Sequence, residues 1–106
     1  MKFHHVGIPT TTQREGETYL AEGKLYVTDT EASPYRIEWL RFEDDSPMPD
    51  VLKTTPHVAF VVDDVEAEMA DKNVLIEPWE PMEGVKVGFI LHDGAPVEFM
   101  QIGSEA

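Results

Sequence analysis

Two short stretches carry a histidine at the head of an apolar run: "HVGIPT" at residues 5–10 and "HVAFVV" at 57–62. Two others carry a glutamate followed by an aromatic residue: "RIEWL" at 36–40 and "PVEFM" at 96–100. Neutral imidazole nitrogen and carboxylate oxygen are the donors that suit a divalent borderline metal, and two carboxylates neutralise its charge. An ion held that way is a Lewis acid that makes a proton beside a carbonyl acidic. A carboxylate next to it can carry that proton. Competing chemistries have little support. The chain has no cysteine, hence no disulfide, thiolate zinc site or cysteine nucleophile. Its serines, at 33, 46 and 104, fall in turn or tail contexts that do not suggest a triad. "VKVG", with Gly88, is far from any phosphate-loop pattern.

The elements that would position these residues read mainly as strands. "KFHHVGIP", "KLYVTDTE" and "YRIEWLRF" are apolar, β-branched or aromatic, and the turn signal "ASP" separates the last two. A polar stretch broken by three prolines, "EDDSPMPDVLKTTP", reads as a connector, because proline resists both helix and central strand. "HVAFVV" then leads into "DDVEAEMADKN", a short amphipathic helix with Val65 and Met69 on one face. Asp63 with Glu66 is the expected N-terminal cap and Asn73 the C-terminal one. Strands "VLIEPW", "VKVGFIL" and "PVEFMQI" follow, the last two separated by the turn "HDGA".

Strand, helix and three strands, run twice, is therefore the pattern. A repeat this short is weak alone, but the repeated histidine and glutamate raise it above chance. The halves are unequal: 33 residues separate His5 from Glu38, and 41 separate His57 from Glu98. That shortfall is roughly two helical turns. In "TTTQREGE" the start signal of Thr12 and Glu15 meets Gly16 at once, so the first helix is expected to be stunted or absent.

Taken together, "HHVGI", "RIEWL", "PHVAFVVDDVEAEM" and "HDGAPVEFMQI" resemble the vicinal oxygen chelate superfamily. Its members include glyoxalase I, extradiol dioxygenases, methylmalonyl-CoA epimerase and the bleomycin and fosfomycin resistance proteins. The resemblance is strong over 57–102 and looser over 3–42. It implies one α+β domain of two βαβββ-type modules forming a half-open barrel, with module one at 1–45, a connector at 46–55 and module two at 56–106. It implies His5, Glu38, His57 and Glu98 as metal ligands, with His4 competing with His5 for its place. Glu38 resembles the glyoxalase I arrangement and separates the chain from the metal-free bleomycin-binding branch. The implied activity is a metal-dependent lyase or isomerase acting on a small α-hydroxycarbonyl or thiol adduct, with Glu98 and Glu38 as catalytic carboxylates. The alternatives are a binding protein that sequesters a small molecule without turnover, and an iron dioxygenase, against which a fourth ligand argues.

Four protein ligands leave two positions on an octahedral ion for substrate oxygens or waters; nickel, zinc, cobalt and iron all fit. By strand alternation Arg36 shares the face of Glu38 and is a candidate anchor for a substrate carboxylate or phosphate. An Arg36–Glu38 pair facing solvent is the competing reading. His4 and His92 read as structural or surface residues, and Trp39, Trp79 and Tyr26 as core or rim packing.

With 21 Asp and Glu against 8 Lys and Arg, the net charge is −13, which disfavours nucleic acid and anionic membranes as partners. The amino-terminal residues lack a signal-peptide core, and no segment approaches a membrane span, so the expected location is cytoplasmic. A small family member of this kind is expected to form a homodimer, its modules pairing within a chain or swapping between chains.

Overall fold

The computed structural model describes residues 1–103; Ser104 and the rest of the expected second module's end lie outside them. Eight strands form among the described residues, in mixed parallel and antiparallel pairing: β1 (Lys2–Pro9), β2 (Thr18–Leu20), β3 (Leu25–Val27), β4 (Ile37–Phe42), β5 (His57–Val61), β6 (Val74–Met82), β7 (Val85–His92) and β8 (Ala95–Ile102). The spatial order is β2-β3-β4-β1 among the first four strands and β5-β8-β7-β6 among the last four. Two five-residue helices accompany them, α1 (Asp50–Thr54) and α2 (Val65–Met69). No helix of the described residues is long and apolar enough to cross a membrane. The chain divides into two compact units, His5–His57 and Met1–His4 with Val58–Ala106.

In the unit His5–His57, β1 and β4 pair in parallel, with Gly7 opposite Glu38 and Ile8 opposite Trp39. β2, β3 and β4 pair antiparallel. On one face of this sheet Leu25, Val27 and Leu40 form a buried cluster, joined by Leu20 and Phe42. The opposite face carries Tyr26 and Arg41, which are cross-strand partners, and Trp39. No helix forms over residues 10–17, as the short spacing predicts. Cation–π stacking does the covering instead. The Arg14 guanidinium lies 3.8 Å from the Trp39 ring centroid, and that of Arg41 lies 4.2 Å from Tyr26. Glu17 grips Arg41 with both carboxylate oxygens, accepting from Nε at 2.9 Å and from Nη2 at 2.6 Å. That bidentate bond holds the Glu17 carboxyl below its usual range. Tyr19 donates to Glu43 at 2.7 Å, which pushes its phenol up to about 12.

The proline-broken connector is more ordered than its sequence promises, because it contains α1. Pro49 stands at the N-cap, where its missing donor breaks no intrahelical bond. Asp50 in the first turn and Lys53 in the last complement the helix dipole, and Leu52 is buried. The turn before it is fastened when Ser46 Oγ donates to the Gly23 carbonyl at 2.5 Å and Lys53 Nζ to the Ser46 carbonyl at 2.7 Å.

In the other unit β5 pairs with β8 in parallel, and β6, β7 and β8 run antiparallel. α2 lies on one sheet face, where Val65 and Met69 pack with Val62, Ile90 and Phe99. Its cap is Asp64, whose side chain accepts from the Ala67 amide at 3.2 Å, one residue later than the expected Asp63. The two aspartates are adjacent, and the one that leaves Val65 and Met69 pointing into the core becomes the cap. Asn73 does not end the helix either; α2 stops at Met69 with Ala70 as its cap. The Asn73 carbonyl instead accepts from the Leu91 amide at 2.8 Å, at the entry to β6. The β7–β8 hairpin turns through Asp93 (φ 52°) and Gly94 (φ 84°), the two left-handed residues that a tight two-residue loop needs. The outer strand β6 contains Pro78 and Pro81 and three register shifts, features that blunt an open edge.

Candidate metal centre

The parallel pairs β1/β4 and β5/β8 share one registration. Glu38 stands opposite Gly7, two residues beyond His5. Glu98 stands opposite Ala59, two residues beyond His57. Side chains two apart on a strand share a face, as do cross-strand partners. Each glutamate is thus delivered to the face of the histidine on the neighbouring strand, His5 within β1 and His57 at the head of β5. The repeat seen in the sequence is reproduced as hydrogen-bond register.

One ligand atom from each of His5, Glu38, His57 and Glu98 can be chosen so that all four lie within 4.8 Å of one another. His5 and His57 are almost wholly buried, at 2% and 3% exposure, and Glu98 is 7% exposed. Glu38 is the most open, with 18% of its side chain accessible. His5 Nε2 lies 3.3 Å from Glu38 Oε1. Two donors each about 2.1 Å from one ion would stand about that far apart at a tetrahedral or slightly open octahedral edge. The imidazoles of His5 and His57 meet edge-to-face, with centroids 5.8 Å apart and planes at 76°. Donor types, separation and burial therefore fit a single divalent cation.

Of the two adjacent histidines, His5 belongs to the cluster and His4 does not. His92 is exposed at the hairpin, 3.6 Å from Asp93. Arg36 departs from the strand argument that led to it. Its backbone is left-handed (φ 56°) and it precedes the first residue of β4, so the alternation that orients Glu38 and Leu40 does not extend to it. Pro34, Tyr35 and Arg36 form a corner closed by Ser33, whose Oγ accepts from the Tyr35 amide at 3.2 Å and whose carbonyl accepts from the Arg36 amide at 3.2 Å. The Arg36 carbonyl accepts from Val6 at 3.0 Å, fastening this corner to β1 between His5 and Gly7.

Gly7 is the residue of the site that sequence reading passed over. A Cβ built on it would come 2.6 Å from Nε2 and 2.9 Å from Nδ1 of His57, and nearer still to Cε1. The His57 ring therefore lies directly over Gly7. A glycine inside a strand, two residues after a candidate ligand, was the available signal, since it marks close approach of another group.

No family model and no curated protein matches the sequence. Among solved structures, the crystal structure of a hypothetical protein, BH1468, from Bacillus halodurans C-125 is similar with a TM-score of 0.72 and 19% sequence identity, covering 99% of this chain and 96% of that one.

Proposed function

We propose that His5, Glu38, His57 and Glu98 bind one divalent cation and that the chain is a metal-dependent lyase or isomerase resembling glyoxalase I. In this reading the first βαβββ-type module of a half-open barrel has lost its helix, and the substrate is a small α-hydroxycarbonyl or thiol adduct. The observation that carries it is the convergence of two buried imidazoles and two carboxylates within 4.8 Å, each glutamate registered against the strand of its histidine. When bound, the cation would supply Lewis acidity to a substrate carbonyl. Glu38 and Glu98 would take the proton from the adjacent carbon and return it, Glu38 being the more accessible of the two. Arg36, at the corner that leads into β4 rather than on the strand face of Glu38, is proposed to anchor an anionic group of the substrate. The functional unit in this reading is a homodimer.

The test is metal analysis of protein purified without chelator, combined with solvent-deuterium exchange into small α-hydroxyketones and hemithioacetals. About one metal per chain is expected, together with exchange at the carbon beside the carbonyl that disappears in Glu98→Gln. Metal without exchange on any such compound would leave a cation-binding protein and remove the enzymatic half of the proposal.

A further inference from the structure

We infer that Gly7 is a positioning residue of the metal centre: its missing side chain is the seat on which the His57 imidazole rests, and it decides whether the four donors can close on one ion. This rests on the metal-binding reading above. Gly7 sits in the middle of β1, is buried, and pairs with Glu38 in unbroken register. Its backbone is not left-handed; Gly16, Gly84 and Gly94 are the glycines with positive φ. Any residue could adopt its conformation, and glycine weakens a strand interior. Space is what it provides.

The space is occupied by a ligand. A Cβ at residue 7 would stand 2.6 Å from His57 Nε2 and 2.9 Å from Nδ1, where ordinary contact needs about 3.5 Å. Either the imidazole must swing off β1 or β1 must shift. The first moves one donor, and the second disturbs the strand that carries His5 and pairs with Glu38. Metal sites tolerate donor displacements of only about 0.2 Å, so both responses open the cluster. Gly88 makes the contrast. A Cβ there would meet the thioether of Met69, the mobile end of a flexible chain, and Val65 Cγ1 at 3.3 Å. A methionine can give way at little cost; a ring committed to a ligand position cannot. The equivalent place in the other strand pair, two residues beyond His57 and opposite Glu98, is held by the fully buried Ala59, again a small residue.

The experiment compares native protein, Gly7→Ala, His57→Ala and the double variant, each stripped of metal and titrated with cobalt(II) and zinc(II), with thermal melts of the metal-free forms. Gly7→Ala is expected to weaken metal binding by about 10- to 100-fold, the range for residues that orient a ligand, and to alter the cobalt absorption bands. It is also expected to lower the melting temperature in the native background but not in the His57→Ala background, where the ring is gone. If Gly7→Ala does not fold, the double variant must, because removing the imidazole removes the clash. Affinity within threefold of native, or equal destabilisation in both backgrounds, or failure of both variants to fold, would overturn the proposal alone. A native protein that takes up neither ion overturns the metal-binding reading, and the proposal with it.

Discussion

Removing the cation with a chelator should lower the melting temperature of the native protein by roughly 10–20 °C. A ligand present at about 100 times its dissociation constant stabilises the folded state by about 2.7 kcal/mol. In a domain of around 100 residues each kcal/mol shifts the midpoint by about 4–8 °C. The coupling is expected to be tight because the donors come from four strands far apart in the chain, which meet only when β1, β4, β5 and β8 are all in register. An unfolded chain has no comparable site to offer. The measurement is differential scanning calorimetry of the as-purified protein with and without chelator, with His57→Ala as a control that should show no shift. A native protein that carries one equivalent of metal yet melts within about 2 °C in both conditions would place the ion elsewhere than in this buried cluster.

The residues that made this centre legible in advance were those whose identity repeats. His5 and His57 each head an apolar run within a strand, and Glu38 and Glu98 each precede an aromatic residue; β1, β7 and β8 fall within one residue of the stretches read as strands. Apolar alternation bounded by turn residues is a local signal, so these elements could be read locally. What escaped depended on tertiary context. β2 is three residues long, too short for periodicity, and exists because Tyr19 pairs with Tyr26 and its hydroxyl reaches Glu43. α1 hides among prolines because the one that matters stands at its N-cap. Asp63 and Asp64 are equivalent as letters, and only the packing of Val65 and Met69 chooses between them. Arg36 looks like a strand residue until its left-handed backbone is seen. The covering of the first sheet face by Arg14 and Arg41 is a substitute for a helix that no propensity scale would list. Gly7 is the clearest case: a glycine inside a strand marks the close approach of some group, but only the structure shows that the group is the His57 ring.

Glu98→Gln and His57→Ala should lose metal alike and then part company once the metal is absent. Glu98 is 7% exposed and its carboxylate can approach that of Glu38 to within 4.8 Å. At an effective dielectric constant of about 20, two unit charges at that distance repel by on the order of 3 kcal/mol; the neighbouring imidazoles offset part of this. A bound cation reverses the sign of the local field, so native glutamates suit the loaded protein and burden the stripped one. Glutamine keeps the shape, removes one charge and exchanges one acceptor oxygen for an NH2 donor. The metal-free Glu98→Gln protein should therefore melt at or above the temperature of metal-free native protein. His57→Ala removes a ring that is 3% exposed and rests on Gly7, a residue with no side chain to fill the gap. Large-to-small truncations at buried positions cost about 2–5 kcal/mol, so this variant should melt roughly 10 °C or more below metal-free native protein. The two effects separate the electrostatic from the packing share of the same site. If both variants destabilise the stripped protein equally, the carboxylates are held by structure rather than by the ion, and Glu98 serves the fold instead of a cation.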